Sequence, residues 1–498
     1  MKGSEAAPKN QYLLFLSVAA LVFMVGVDLL GAGLALTPMS REFHIHLSQL
    51  QWFLTAFAMG NASFLVTSGK LVDIYGRQKM FIIGVLLFVF SSISIALTPN
   101  FYLVCIERFI QGASGGLIAT VATVCISTYF PAKERAHWMA GLVGSAGLGM
   151  AVGPMIGGYL IETYSWQAIF WINAPIGALA LILGLTQIKQ SSPSTFRPLD
   201  YVGIAMFIFA ISMLTTTLNN GYLWGWASGL TIGCTLITIA AVISFILYER
   251  WFKDPLLHLE LFKVQNYIPS NLLGLTLYLG LVAWIFNFSI YYQHIRLFSP
   301  IETGLHFLPL ALSLFVGAVL IRRIARCFKS TKSLLIFGTT LNFIGFAALT
   351  VLPLDNFLWI ATVFVIIGLG FVIVNGNTIS IGIQYMPQNL VGLGSGTSLM
   401  IRWLGGALGG AISGSILFSM PRHLLSKRLS EISPVDLSQV KGMIAGNSID
   451  LHNIKTPLTK MMIHDSMTHS IHMCMLIVGA LYLFNLIYSI FRIKKNQI

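Results

Sequence analysis

Four ionisable side chains stand inside long apolar runs of this sequence: Asp28, Glu107, Arg108 and Arg402. A charge at the centre of a membrane-spanning helix costs about 2.5 kcal/mol or more, so each needs a partner, water or a task. Desolvation raises the pKa of a buried carboxylate and a nearby arginine lowers it, so Asp28 beside Arg108 could titrate near neutral pH. The chemistry open to such a group is to take up and release a proton; the alternative is a permanent Asp–Arg clamp between helices. Glu107 precedes Arg108 directly and so faces about 100° away on a helix, nearer its outer end. Arg402 has no evident acidic partner in the C-terminal half, which leaves backbone carbonyls, an anionic substrate or a water-filled cavity around it. No phosphate-binding loop, metal-ligand cluster or nucleophile–base set is visible. ATP-driven transport and catalysis therefore lack support, and neither a cofactor nor a metal is expected.

The elements that must hold these groups are helices in a bilayer. Of 498 residues, 56% are hydrophobic and 9% charged, where a soluble domain carries about 25% charged residues. A soluble enzyme, a disordered chain and a fibrous protein are thereby set aside. The net charge of +13 would point to nucleic acid in a soluble protein. Here the basic residues lie in short loops between apolar runs, the positive-inside pattern, and no nucleic-acid partner is expected. The five cysteines have no metal spacing, and all but Cys327 fall inside apolar runs as small core residues. The first run is too long for a signal-peptide core and reads as an uncleaved span.

The runs predict fourteen helices: 12–36, 48–69, 79–97, 101–129, 138–160, 166–186, 200–219, 229–248, 267–293, 301–321, 333–352, 356–383, 391–419 and 466–491. An even number puts both termini on one side. With the N-terminus cytoplasmic, about 20 Lys and Arg fall inside and about 8 outside, most of the latter in one long loop at 420–465. The organisation expected is a cytoplasmic N-terminus (1–11), a six-helix bundle (12–187), an inserted helix pair with linkers (188–266), a second six-helix bundle (267–491) carrying the external loop, and a cytoplasmic tail (492–498). This is a transporter-like layout. Hydropathy alone does not separate it from the large proton-pumping subunits of respiratory complexes.

Four stretches are more specific. At the inner end of the second run stands Gly69-Lys-Leu-Val-Asp73-Ile-Tyr-Gly76-Arg77-Gln-Lys79. Its glycines permit close approach and positive φ, and Asp73 can cap a helix or pair with an arginine of a neighbouring loop. A plain positive-inside turn would carry the same charges. In the fourth run, Arg108-Phe-Ile-Gln111-Gly112-Ala-Ser-Gly115-Gly116 sets an arginine one helical turn from an amide. In the fifth, Gly141, Ser145, Gly149, Gly153 and Gly157 recur every four residues. One face of that helix is therefore small and admits a close neighbour, and Pro154 removes a backbone bond and bends it. The sixth opens with Trp166-Gln-Ala-Ile169-Phe170-Trp-Ile-Asn173-Ala-Pro175-Ile-Gly177.

The first stretch resembles the signature loop of the major facilitator superfamily, G-x-L-x-D-x-x-G-R-x-K, at every key position. The second resembles the superfamily's R-x-x-Q-G motif. Gly149 to Gly158 resembles the antiporter motif G-x-x-x-G-P-x-x-G-G. The fourth resembles the opening of the sixth helix in the fourteen-span drug:proton antiporters, the EmrB/QacA subfamily. Pro300, Gly304 and Pro309, and Arg402 with Gly405, Gly406 and Gly409, extend the resemblance over essentially the whole chain. It implies an all-α integral membrane protein of the major facilitator fold, with two pseudo-symmetric six-helix bundles plus two extra helices. It further implies a proton-coupled exporter of small hydrophobic compounds, working by alternating access in the bacterial inner membrane as a monomeric unit. The implied partners are substrate, protons and lipid, with a periplasmic adaptor at the long loop as in some relatives. Asp28, Arg108 and Glu107 would serve proton coupling. Gly69, Asp73, Gly76, Arg77, Gly149, Gly153, Pro154, Gly157 and Gly158 would serve the conformational switch. Trp52, Phe57, Gln111, Asn173, Gln293, Asn375, Asn377 and Arg402 would line the substrate cavity.

The departures fall on polar positions and so bear on substrate rather than fold. Asp28 is kept, but Leu30 and Gly33 stand where the family has Thr and Asn. Gln167 and Ala168 replace the common Arg and Trp. The basic run Arg322, Arg323, Arg326, Lys329 and Lys332 has Ala325 where its echo of the loop motif would have an aspartate. A facilitator carrying a specific metabolite or siderophore is one rival, disfavoured by the antiporter motif. A respiratory proton-channel subunit is another, and it would need lysines deep within several helices, where this chain has none. His44, His46, His464, His469 and His472 read as interfacial histidines, and Trp224 and Trp226 as part of an aromatic belt.

Overall fold

Polar caps start helices where the apolar runs begin. Asn10, Asn100 and Asn356 each accept two backbone N–H bonds in a first turn, Ser228 and Ser330 accept one, and Ser299 forms a capping box with Glu302. The computed structural model describes residues 10–45, 49–131, 133–190, 200–252, 255, 257–387, 390–444 and 454–494. Most of the expected N-terminal tail, the linker residues 191–199, His46, residues 445–453 of the long loop and the last residues of the tail lie outside these.

In chain order the long helices are α1 (Gln11–Gly31, continued through a 3-10 turn and Leu36–Glu42), α2 (Gln51–Tyr75), α3 (Arg77–Leu97), α4 (Phe101–Tyr129), α5 (Arg135–Thr163), α6 (Asn173–Gln187, after a turn Ala168–Trp171), α7 (Tyr201–Trp224), α8 (Gly229–Trp251), α9 (Tyr267–Ile290, ending in a π turn Tyr291–Ile295), α10 (Pro300–Arg326), α11 (Thr331–Ala348), α12 (Phe357–Ile383), α13 (Val391–Ser426) and α14 (Pro457–Arg492). Each of the fourteen apolar runs thus coincides with a helix. Twelve helices among the described residues are long and apolar enough to cross a membrane. The two below that mark are α2, which carries Thr55, Asn61, Ser63, Thr67 and Ser68, and α11, which has 18 residues and includes Thr339 and Asn342. These polar side chains are all buried in the protein. Several ends differ from expectation. α1 runs beyond 36 to Glu42, α2 reaches Tyr75, and α14 starts at Pro457, where Lys460, His464 and Asp465 hide its first turns from a hydropathy reading.

One end of the bundle carries Arg77, Lys79, Arg135, Arg250 and Arg326; we call it the basic end. Within the first half, α2 packs on α4 and α1 on α5 and α6; within the second, α9 packs on α13, and α12 on α10 and α11. Two crossings join the halves, α5 on α10 and α2 on α13, while α7 leans on both α13 and α2 and carries α8 outward. Gln51 Nε2 donates to the Asn219 carbonyl of α7 at 3.1 Å.

Both crossings are tight at the far end and splay toward the basic end. On α5, a methyl built at Gly158 would meet the Pro300 carbonyl at 2.7 Å, one at Gly147 would touch Ala318 of α10 only at 4.0 Å, and one at Gly144 would meet nothing within 4 Å. On α13, a methyl at Gly410 would lie 2.6 Å from Thr55, one at Gly406 3.5 Å from Ala58, and those at Gly396 and Gly392 would meet nothing within 4 Å. Gln293 Nε2, at the end of α9, donates to the Leu34 carbonyl of the α1 extension at 3.1 Å and helps close the far end.

Candidate functional site

Asp28 and Arg108 are both fully buried and meet across α1 and α4, with Nη1 donating to Oδ2 at 2.6 Å. The same Nη1 donates to Gln111 Oε1 at 2.6 Å, and Gln111 Nε2 donates to Asp28 Oδ1 at 3.3 Å. Gln111 thus bridges the acid and the base from one turn further along α4. Its amide is held by Ser92 of α3, whose hydroxyl accepts from Gln111 Nε2 at 2.7 Å and from Asn173 Nδ2 of α6 at 3.1 Å, and donates to the Phe88 carbonyl at 2.8 Å. Four helices therefore converge on one polar network in an apolar interior.

Aromatic rings enclose the guanidinium. Its carbon lies 4.5 Å from the ring centres of both Phe53 and Phe57 on α2 and 5.8 Å from that of Phe170. Cation–π contact of this kind offsets part of the desolvation of a buried cation. The rings reach Arg108 because α2 and α4 cross at glycines: a methyl at Gly112 would strike the Phe57 carbonyl and one at Gly60 the Phe109 carbonyl. Arg108 Nη2 and Asn173 Oδ1 are buried without a hydrogen-bond partner.

Glu107 does not join this network. It turns to α3, where Oε1 accepts from Ser94 and from Thr98 Oγ1 at 2.8 Å. Its place beside Arg108 in sequence is undone by the helical turn between successive residues.

The small face of α5 is the seat of α1. Methyls at Gly149 and Gly153 would strike the carbonyls of Phe23 and Val27, and one at Gly157 would lie 3.1 Å from the Gly31 Cα. Val27 directly precedes Asp28. On its other side α5 meets α10 through Gly158 and through the Pro154 carbonyl, which sits where a side chain at Gly304 would be. A single helix thus touches both the backbone beside Asp28 and the second half of the chain. In the turn between α2 and α3, Gly76 has φ 86°, the conformation a glycine is needed for, and Arg77 lies over the Tyr129 ring at 5.8 Å. Asp73 is exposed, and a methyl at Gly69 would meet nothing within 4 Å, so the close approach expected at Gly69 is not made in this conformation.

In the second half, Arg402 of α13 is 3% exposed. It crosses under Gly274 of α9 to reach α12, where Nη1 donates to Asn375 Oδ1 at 2.6 Å and Nη2 donates to the Asn375 carbonyl at 3.1 Å and to Thr378 Oγ1. One backbone carbonyl and the neutral side chains of Asn375, Thr378 and Tyr278 meet it; amide and hydroxyl partners were not among the surroundings expected for it. Asn377 is half buried and bonds back to the Ile373 carbonyl of its own helix. Phe57 and Trp403 pack edge to face at 5.7 Å between the halves, Trp52 is half buried, and Gln293 lies in the far-end closure. Ser92 and Thr378 were not among the expected site residues; a hydroxyl in an apolar helix is too common a signal to single out.

At the far end, Asp355 accepts from the Tyr291 hydroxyl at 2.8 Å and from Arg296, with His464 Nε2 at 3.6 Å. Partial burial pushes its carboxyl up, but Tyr291, Arg296 and His464 outweigh this and hold it below the ordinary carboxylate value.

A family model described as the Major Facilitator Superfamily matches residues 16–410. The tetracenomycin C resistance and export protein of Streptomyces glaucescens is 28% identical over 81% of this chain and 75% of its own length. The multidrug transporter protein MdtP of Bacillus subtilis is 29% identical over 80% and 76%, and the multidrug resistance protein Stp of Mycobacterium tuberculosis 27% over 86% and 79%. Among solved structures, a bacterial homologue of the human lysosomal transporter Spinster, in an inward-facing and unoccupied conformation, superposes with TM-score 0.64 at 14% identity, covering 97% of this chain and 98% of that one.

Proposed function

The chain belongs to the Major Facilitator Superfamily, and on that premise we propose that it is a proton-coupled drug exporter of the fourteen-span EmrB/QacA kind. Membership makes it a multi-pass membrane transporter of small molecules rather than an enzyme. The relatives' names, resistance and export proteins for antibiotics and drugs, support export of small hydrophobic compounds. In this reading the basic end is cytoplasmic, the site is the bacterial inner membrane, and two six-helix bundles rock about the crossings of α5 with α10 and α2 with α13.

The observation that carries the mechanism is the buried Asp28–Arg108 pair with Gln111 between them. A proton arriving at Asp28 cancels the charge that holds Arg108 Nη1, while Gln111 still accepts from it. The pair then loosens without leaving the guanidinium bare. Asp28 rides on α1 against the glycines of α5, and α5 bears on α10, so a shift of α1 reaches the inter-half crossing through packed backbone. The α2–α3 turn, with Asp73 and Arg77, latches the state in which the basic end is closed. The splay of both crossings toward the basic end supports assigning the present conformation to the opposite, inward-open state. Glu107 serves as a second carboxylate near the far end. The long loop is where a periplasmic adaptor would dock, and the transport unit is a monomer.

The experiment is reconstitution into proteoliposomes with an imposed pH gradient. We expect accumulation of a fluorescent drug in exchange for protons, abolished by a protonophore. Accumulation that needs ATP, or that ignores the gradient, would overturn the proposal.

A further inference from the structure

We propose that Arg402 forms an anion subsite, taking the carboxylate or similar acidic group of a small aromatic compound. This rests on the export reading and names its substrate class. The first observation is an imbalance of charge. Arg402 is buried, as Arg108 is, yet among the described residues the acceptors it meets are neutral groups: the Asn375 side chain and carbonyl and the Thr378 and Tyr278 hydroxyls. The sequence places no carboxylate in α9, α11, α12 or α13. The one acid of α10, Glu302, caps its own helix at the far end, and Asp355 is engaged by Arg296 outside the span. Neutral dipoles hold the guanidinium without cancelling its charge, so a full positive charge persists at depth.

The second observation is access. Asn375 is half buried, and a methyl at its neighbour Gly376 would meet nothing within 4 Å, as at Gly392 and Gly396 on α13. The third is an aromatic wall beside the charge. Tyr278 packs edge to face with Trp403 at 5.2 Å and tilts against Phe371 at 5.9 Å. An anionic oxygen that displaces the Asn375 amide turns a bond between a cation and a neutral dipole into one in which both partners are ionised. A neutral compound has no such advantage, and a cation is repelled. A membrane potential negative inside also favours outward movement of an anion, so the proton gradient is asked for less.

The test is binding to the purified full-length protein in detergent, with no gradient, using naphthoate, its neutral isostere naphthamide, and a naphthyl trimethylammonium cation. We expect naphthoate to bind about tenfold tighter than naphthamide, with the cation weakest. Arg402→Lys, which keeps the charge, should retain the order. Arg402→Gln should erase it. Should Arg402→Gln fold poorly, Asn375→Asp supplies the missing carboxylate beside an intact arginine and should bring naphthoate and naphthamide to parity. A purely structural arginine would leave the ratio near one in wild type and unmoved in Asn375→Asp, and either result overturns the proposal. Because no transport is measured, loss of the anion preference leaves the export reading standing, and failure of export leaves this ratio unaffected.

Discussion

Among the described residues the two halves bury one arginine each and treat it differently. In the first half Arg108 faces a carboxylate, an amide and three aromatic rings, and the ensemble is neutral. In the second, Arg402 faces an amide, a carbonyl and the hydroxyls of Thr378 and Tyr278, and remains a cation. A group that must change charge needs a titratable partner, whereas a group that only attracts an anion must not have one. On the proposed reading, the difference would put proton chemistry in the first half and substrate selection in the second.

The sharpest way to break the comparison is to remove each arginine in turn. Arg108→Leu strands the buried Asp28 carboxylate and should cost about 3–5 kcal/mol of stability, read as loss of folded protein in detergent melts. Adding Asp28→Asn to it should restore part of that loss, because the stranded charge is gone. Arg402→Leu leaves only neutral groups behind and should cost about 1–3 kcal/mol. Equal losses at the two sites would mean that the carboxylate in the first half is not what distinguishes them.

Next comes the path between the halves. Gly153→Ala puts a methyl 2.8 Å from the Val27 carbonyl and should cost about 1–3 kcal/mol while slowing export more than the melt predicts. Pro154→Leu restores the missing backbone bond and should depress export with little change in melting. Normal export in both would reduce this face to ordinary packing.

The smallest effect belongs to the far-end cluster. Asp355 has a folded pKa held below its unfolded value, so its contribution is present above the unfolded pKa and lost as pH falls through the folded one. Its side chain is 53% exposed, so screening limits Asp355→Asn to about 1 kcal/mol or less at neutral pH, declining with salt and vanishing in acid. A melt series in pH and salt checks this.

How much of this was legible in the sequence follows from range. Helix positions were, because apolar runs are local; α2 and α11 were found although their buried polar faces leave them less apolar than the rest. The Asp28–Arg108 pair was inferred from the cost of charge at depth, which ignores chain separation. Glu107, the neighbour expected to face about 100° away from Arg108, turns to Ser94 and Thr98, and those partners depend on the packing of α4 beside α3. The role of Ser92 and the seat of Arg402 on Asn375 and Thr378 depend on which helices neighbour one another, and no single run of residues encodes that.

In the proposed mechanism the first-half carboxylate carries the coupled proton. Asp28→Asn keeps the size of the side chain and removes its titration. In proteoliposomes made from variant protein with confirmed folding, we expect substrate exchange without a gradient to continue while pH-driven efflux is lost. Efflux at the wild-type rate with the wild-type pH profile would contradict the account and move the proton elsewhere.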